Sequence, residues 1–198
     1  MKLHCCYGLS NLSSWAKCLT KLKILKVETI FNDGISIDFL LHLFQSSSNT
    51  LTKLEIKSRG YQNITQLLQQ IPFYLRSLKH LVLSGAMFQR ELLISILKSC
   101  TKLVYIRVSL DDDKSLKGLG KFIPKSLERI KFRLYRIDFE ESLNCFLEEY
   151  INNTDDDNNN GALKYLEFNE DWNDNDWNDY YLEVTEKFGI QITEYKYQ

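Results

Sequence analysis

An alternating pattern of apolar and polar residues recurs along the chain with the spacing L-x-x-L-x-L, in which the first, fourth and sixth positions are apolar. The recurrences begin at Leu19, Leu51, Leu78, Leu103, Leu127 and Leu163. Successive starts lie 24 to 36 residues apart, and the first recurrence fits equally well if it begins at Leu22. Alternation with a period of two predicts a short strand at each place, and self-similarity at this interval predicts a repeat protein.

Segments between these strands place apolar residues at the i, i+3, i+4, i+7 spacing of an amphipathic helix. Four such sets follow the first, second, third and fifth strands: Ile37, Leu40, Leu41 and Phe44; Ile64, Leu67, Leu68 and Ile71; Leu93, Ile96, Leu97 and Cys100; and Leu143, Phe146, Leu147 and Tyr150. Pro72 and Pro124 are predicted to end helical segments, because the residue before a proline avoids the helical region. Gly189 is expected at the C-terminus of the last helix.

One strand and one helix in each unit predict an α/β fold in which parallel strands lie side by side. Because a single unit cannot bury its own apolar face, about six units are expected to stack into a curved solenoid. The parallel sheet then forms the concave face and the helices form the convex face. We expect residues 19–198 to form this repeat domain, with a flexible acidic loop at residues 152–161. Residues 1–18 are expected to be an incomplete N-terminal repeat or cap, with Leu9, Leu12, Trp15 and Cys18 on one helical stripe.

The repeat pattern resembles a known family. The strands and their helical units resemble the ribonuclease-inhibitor-like leucine-rich repeats of fungal-type F-box proteins. The resemblance includes two connecting segments, Ser84-Gly85-Ala86 after one strand and Lys98–Leu103 before the next. The resemblance implies a leucine-rich-repeat solenoid whose repeats recognise a protein substrate for an SCF ubiquitin ligase. In that family an N-terminal F-box binds the Skp1 subunit. Residues 1–18 contain no F-box pattern, so Skp1 and a cullin are expected partners only if an F-box lies upstream. The alternative is a stand-alone ribonuclease-inhibitor-like structural or inhibitory scaffold without a ubiquitin link.

The charge of the chain divides sharply along its length. The total is nearly neutral, with 25 Lys and Arg against 26 Asp and Glu. Up to Ile137 there are 22 basic and 9 acidic residues, whereas from Asp138 onward there are 3 and 17. A basic surface in the first part suits an acidic partner, while the acidic remainder would repel the phosphates of a nucleic acid.

Composition also bears on location. No run of eighteen apolar residues is present, which argues against a membrane span. The five cysteines include no C-x-x-C pair, and we expect reduced thiols in a cytoplasmic or nuclear protein.

The third, fifth and seventh residues of each pattern are expected to face away from the core, on the concave face. In the middle of the chain these residues are mostly basic, with tyrosines among them. The candidate partner-binding residues are Lys53, Lys57, Tyr105, Arg107, Arg129, Lys131, Arg133 and Tyr165. Lys21 and Lys23 join them if the first strand begins at Leu19. Such a face predicts binding of an acidic or phosphorylated protein segment, although an ordinary solvated strand face fits the pattern equally well.

Signals for catalysis, cofactors and metals are weak. The segment 118–121 lacks the spacing of a phosphate-binding loop, and His4, His42 and His80 lie on separate elements. Two Asp-rich segments, at 155–159 and 174–178, lack the glycine and glutamate that a calcium loop requires. We therefore expect a binding protein that is not an enzyme and holds no cofactor or metal. Trp172 and Trp177 are either buried against the last helix or exposed anchors for a partner.

Overall fold

Strands and helices alternate along the chain. The computed structural model describes residues 1–4, 13–29, 36–58, 64–110, 116–133, 139–154, 163–169 and 177–195. Its strands are β1 (Lys2–His4), β2 (Ile24–Thr29), β3 (Lys53–Ser58), β4 (His80–Phe88), β5 (Tyr105–Leu110), β6 (Arg129–Arg133), β7 (Tyr165–Asn169) and β8 (Gln191–Tyr195). Its helices are α1 (Ser13–Ala16), α2 (Ile37–Ser46), α3 (Ile64–Gln69), α4 (Ile71–Tyr74), α5 (Arg90–Ser99), α6 (Phe139–Thr154) and α7 (Trp177–Phe188). A short 3-10 helix spans Gly120–Phe122.

The strands form one parallel sheet in which each strand pairs with its neighbours in chain order, from β1 to β8. The predicted α/β class and parallel pairing are therefore confirmed. Strands β2 to β7 each contain the fourth and sixth positions of an L-x-x-L-x-L pattern. In β2 these positions are Leu25 and Val27, both buried, so the first pattern begins at Leu22. Lys21 and Lys23 consequently lie before the strand.

One pair of backbone hydrogen bonds repeats from unit to unit. The carbonyl of Lys79 accepts hydrogen bonds from the amides of Val104, at 2.8 Å, and Tyr105, at 3.0 Å, in the next unit. Equivalent pairs are accepted by the carbonyls of Lys23, Thr52, Val104 and Glu128. All five acceptors occupy the second position of the sequence pattern, so the sequence period and the backbone period coincide.

The core lies on one face of the sheet. Leu54, Ile56, Leu81 and Leu83 are representative: each alternates with a polar or less buried residue and is itself buried. Apolar side chains from the helices meet this face, as the predicted stripes of α5 and α6 require. Burial of these alternating residues drives neighbouring units together, because apolar surface removed from water stabilises the folded chain.

The aromatic part of the core joins three elements. Phe132 of β6 meets Phe146 of α6 edge-to-face and stacks beside Phe168 of β7, in both cases with ring centroids 6.0 Å apart. Both are favourable aromatic geometries.

Several helical details differ from the predictions. The buried stripe of α2 is Phe39, Leu40, Leu43 and Phe44 rather than the predicted Ile37, Leu40, Leu41 and Phe44. Two overlapping stripes with helical spacing exist in this segment, and packing selects the one that carries both phenylalanines. Pro72 does not end a helix as predicted, because it lies in the first turn of α4, where its missing N–H costs no hydrogen bond. Ile123, in contrast, is extended before Pro124, as predicted.

The two edges of the sheet also differ from the predictions. No strand was predicted within residues 1–18, but Lys2–His4 form β1. The short helix α1 buries Ala16, whereas the predicted stripe residues Trp15 and Cys18 are exposed; Leu9 and Leu12 lie outside the described residues. At the other edge, β8 was not predicted. Gly189 does follow the last helix with φ +66°, as expected.

The acidic loop predicted at 152–161 begins later than expected, because α6 continues to Thr154. The rest of that loop and Trp172 lie outside the described residues, and the alternatives for Trp172 and Trp177 stay predictions. None of the helices in the described part of the chain is long and apolar enough to cross a membrane.

Candidate functional site

The candidate site is the face of the sheet opposite the core, which we call the open face. Its side chains come from the third, fifth and seventh positions of each pattern. Because the strands pair in register, equivalent positions form rows across the sheet. The third-position row is Ile24, Lys53, His80, Tyr105, Arg129, Tyr165 and Gln191. The fifth-position row is Lys26, Glu55, Val82, Arg107, Lys131, Glu167 and Thr193.

Glu55 holds two lysines on one side of the open face. Its carboxylate lies 2.7 Å from Nζ of Lys26 and 3.5 Å from Nζ of Lys57, and its side chain is only 15% exposed. Burial raises the pKa of Glu55, but the hydrogen bond and charge of Lys26 and the charge of Lys57 outweigh burial and hold the pKa below its ordinary value. The carboxylate is therefore ionised at neutral pH and compensates the charge around it.

Glu167 has the equivalent role on the other side. One carboxylate oxygen lies 2.9 Å from Nζ of Lys131, and the other lies 3.5 Å from Nε of Arg129. The guanidinium of Arg129 also lies over the ring of Tyr165, at 4.4 Å from the centroid, which is a cation–π contact. These four side chains form one connected group.

The structure thus shows acidic contacts for several cations of the face that was predicted to be mostly basic. Lys57, Arg129 and Lys131 were all proposed as partner-binding cations, and each contacts a glutamate of the same face. Glu55 and Glu167 were visible in the sequence, but their role depends on strand register. Lys131 and Glu167, for example, are 36 residues apart in the chain.

Between the two glutamates lies a region that we call the central patch: Lys53, His80, Tyr105 and Arg107. Lys53 pairs with His80 across β3 and β4, and His80 pairs with Tyr105 across β4 and β5. The rings of His80 and Tyr105 have centroids 6.2 Å apart. Arg107 lies in the adjacent row beside Val82. None of the open-face residues of β4 and β5 is acidic, so the patch presents cations and an aromatic ring.

Two pKa values reflect the environment of the patch. Burial, with help from the charges of Lys53 and Lys79, lowers the pKa of His80, so its imidazole is neutral at neutral pH. Burial and the charge of Glu167 raise the pKa of Tyr105, although Arg107 and Arg129 oppose them. The Tyr105 phenol therefore stays protonated and able to donate a hydrogen bond.

The remaining candidate, Arg133, lies at the end of the open face. It pairs in register with Ser109, which is 4% exposed although it occupies an outward position. The adjacent register between β4 and β5 shifts after Val82, and Gly85 in that stretch has φ +87°. Arg133 itself is half-buried. The irregular end of β4 thus interrupts the seventh-position row between Ser84 and Ser109, and Arg133 lies beyond that break.

A small pocket of about 70 Å³ is lined by Lys2, Lys26, Val27, Glu28, Glu55 and Lys57, beside the Glu55 group. In the described part of the chain no group of three or more His, Cys, Asp or Glu side chains is arranged to hold a metal ion. The chemistry of the site is that of charge and aromatic contacts.

No protein-family model matches the chain, and the search of curated proteins gives no significant match either.

Proposed function

We propose that this chain is a leucine-rich-repeat recognition module that binds an acidic segment of a partner protein on its open face, with the central patch as the anchor. The observation that carries the proposal is the charge arrangement. Lys53 of β3 and Tyr105 and Arg107 of β5 lie within the stretch that is bounded by Glu55 on β3 and Glu167 on β7. Charge-assisted hydrogen bonds from Lys and Arg and the area of a tyrosine suit a carboxylate- or phosphate-bearing segment.

The repeat assignment rests on the agreement between the period of the sequence pattern and the period of the backbone hydrogen bonds. The L-x-x-L-x-L pattern and the paired backbone hydrogen bonds at its second position recur together. Together with the parallel strands, they support about six leucine-rich repeats stacked as a curved solenoid, with the open face concave. Repeat solenoids commonly use such a face to bind other proteins.

The first experiment is affinity capture of the tagged chain from its own cell extract, read by mass spectrometry. The patch variant Lys53→Glu with Arg107→Glu should lose the specific partners, because like charges facing each other across an interface cost several kcal/mol. The control is Lys17→Glu with Lys102→Glu, which makes the same charge change at exposed lysines outside the open face. It should retain them. Retention by the patch variant, or equal loss by both variants, would contradict the proposal.

The Arg129→Glu with Lys131→Glu variant is a poorer test. Both residues contact Glu167, so the reversal would place three carboxylates together and destabilise β6 and β7 directly. Lys53 lies on β3, and Arg107 on β5 lies one strand farther from Glu167 than Lys131 does. Circular dichroism and thermal unfolding of each variant should accompany the capture, so that loss of binding is separated from loss of folding.

The chemistry of the partner is tested with synthetic peptides from the captured protein. Acidic segments should bind with an affinity that falls as salt is raised, and the phosphorylated form should bind more tightly if a phosphate is recognised. Neutral segments binding equally well would contradict the acidic-partner proposal.

The link to ubiquitin is tested by the same capture. Skp1 and a cullin among the retained proteins would support the F-box-type adaptor that the family resemblance implies. Their absence beside a specific partner would support the stand-alone ribonuclease-inhibitor-like scaffold.

A further inference from the structure

A second surface lies away from the open face. It is a groove of about 370 Å³ between the last turn of α5 and the segment that follows the 3-10 helix. Its apolar lining is Leu97, Phe122, Ile123 and Pro124, and its polar lining is Lys98, Thr101, Lys121 and Lys125. None of these residues is acidic, so the groove combines an apolar floor with a rim of three exposed lysines.

The rim is held in place by local contacts. The ammonium of Lys98 lies 4.2 Å from the centroid of the Phe122 ring, which keeps a positive charge directly over the apolar floor. Lys121 lies 3.8 Å from Glu149 of α6 and is 60% exposed. At that exposure the ion pair leaves the rim positively charged towards solvent. An occupant would need an apolar side chain flanked by carboxylates.

Helix α7 of the same chain presents an apolar side chain flanked by carboxylates. Leu182 on α7 is 62% exposed, one of four large apolar side chains that are exposed in the described part of the chain. Glu183 and Glu186 beside it are also exposed, whereas Val184 is buried and attaches the helix to the core. Residues 182 and 186 are four apart and therefore neighbours on the helix surface. We call Leu182, Glu183 and Glu186 the knob of α7; it presents one leucine and two carboxylates.

Within one copy the knob does not fill the groove, because Leu182 is exposed to solvent. The helix is also held elsewhere: Lys187 of α7 lies 3.6 Å from Glu148 of α6. The groove belongs to the basic part of the chain, with 22 basic and 9 acidic residues, and the knob belongs to the acidic part, with 3 and 17. The two surfaces carry opposite charge and do not meet within one copy, so a contact between them would join two copies.

We propose that copies of this chain associate by insertion of Leu182 of one copy into the groove of the next. Glu183 and Glu186 then face Lys98, Lys121 and Lys125 of that neighbour. The contact joins two different surfaces, so a pair of copies still has one open knob and one open groove, and further copies add until a row or a closed ring forms. The surfaces are small, so the association is weak and depends on concentration.

The first test measures the weight-average mass of the purified chain by sedimentation or light scattering. At low salt the mass should rise with concentration above the monomer value of 23.4 kDa. It should return towards that value at about 1 M salt, where the screening length is about 3 Å. A chain that stays monomeric at every concentration in low salt would overturn the proposal.

The apolar anchor is tested by Leu182→Ser. This variant should abolish the rise in mass. Phe73→Ser is the matched control, because Phe73 is also a large apolar side chain on a helix and is 68% exposed. It should associate like the parent chain. If Leu182→Ser has no effect, or if both variants lose association equally, the knob is not the contact.

A charge exchange identifies both surfaces at once. The knob variant Glu183→Lys with Glu186→Lys and the groove variant Lys98→Glu with Lys125→Glu should each be monomeric alone. Lys121 is left unchanged because it contacts Glu149. A mixture of the two variants should associate, since each knob then meets a groove of opposite charge. A mixture that stays monomeric, with both variants folded, would contradict the pairing.

Self-association and partner binding use different surfaces and can fail separately. The patch variant Lys53→Glu with Arg107→Glu should self-associate like the parent chain, because neither residue lines the groove or the knob. Loss of association in that variant would assign the contact to the open face instead.

Discussion

The carboxylate of Glu167 on β7 lies 2.9 Å from the ammonium of Lys131 on β6, and both side chains are nearly buried, with 16% and 15% of their surface exposed. The pair joins two neighbouring strands that are 36 residues apart in sequence. A buried charge that loses its partner pays a desolvation cost that water at the surface would otherwise offset. Loss of either residue therefore removes an ion-pair partner from a charge that is largely shielded from water.

A double-mutant cycle of Lys131→Met and Glu167→Gln should give a coupling energy of about 1–2 kcal/mol in denaturant unfolding, within the range measured for contacting residues. The expected sign is stabilising, because each single substitution leaves the other charge poorly solvated. Arg129 remains beside Glu167 in the Lys131 variant and limits the cost of that single change.

The control for this cycle is the pair of Lys164 and Glu128, which joins the same two units. These side chains are 60% and 48% exposed and lie 3.6 Å apart. Exposed pairs contribute about 0–1 kcal/mol. Equal coupling energies for the two pairs would show that burial does not strengthen the contact of Lys131 with Glu167.

The lowered pKa of Glu55 predicts a dependence of stability on acid pH. Burial opposes the shift, but the contacts with Lys26 and Lys57 prevail. Because the native carboxyl binds its proton less readily than the unfolded one, its stabilising contribution is present above its ordinary pKa and is lost as the pH falls through the native pKa. Glu55→Gln should therefore flatten the acid side of the stability profile.

The measurement is urea unfolding at a series of pH values from about 7 to about 3. Lys26→Met should flatten the profile in the same way, because Lys26 supplies the hydrogen bond and the largest favourable charge. A profile that is as steep in both variants as in the parent chain would rule out a contribution from this group.

His80 reports on the central patch. Burial first, and then the charges of Lys53 and Lys79, lower its pKa, while Tyr105 packs on its other side. Since the unfolded imidazole binds protons more readily, the contribution of His80 to stability is complete above its ordinary pKa and decreases as the pH falls below it. Lys53→Met should raise the pKa of His80 in an NMR titration.

Lys57→Met provides the control for that titration. Lys57 lies on the same strand but contacts Glu55 rather than His80, so its loss should leave the titration of His80 almost unchanged. Binding of an acidic segment at the patch should raise the pKa of His80, because a nearby negative charge favours the imidazolium. Equal shifts in both lysine variants would show that only the overall charge matters.

The strands from β2 to β7 could be predicted from the sequence because the fourth and sixth positions of each pattern are apolar and buried, while the third and fifth positions are less buried. β8 could not. Its register places Gly189 at the first position of the pattern and Glu194 at the sixth, so only Ile192 is an apolar residue at an expected place. β1 contributes three residues, too few for a periodic signal. Both edge strands form by backbone pairing with a neighbouring strand, and neither carries a repeat pattern in its own sequence.

The residues of the open face could be predicted from the sequence, but the ion pairs among them could not. Alternation alone places Lys131 and Arg129 outward, whereas their contact with Glu167 requires the register of β6 against β7. Helix α2 shows the same limit, since Leu41 and Leu43 both fit a helical stripe and only Leu43 is buried. In each case the competing arrangements are equal in local sequence and differ only in packing.

Gly120 illustrates how packing alone can require a glycine. A Cβ at this position would overlap the carbonyl oxygen of Phe146 and lie 2.7 Å from the amide nitrogen of Tyr150. Both are backbone atoms of α6, so the 3-10 helix and α6 would have to separate. Gly120→Ala should therefore destabilise the chain by about 2–3 kcal/mol, the upper part of the range for overpacking.

The control is Gly189→Ala, which adds a Cβ in open space at φ +66° and should cost about 1 kcal/mol. Urea unfolding midpoints at equal slope measure both changes. A smaller loss for Gly120→Ala than for Gly189→Ala would mean that α6 and the 3-10 helix do not pack this closely in solution.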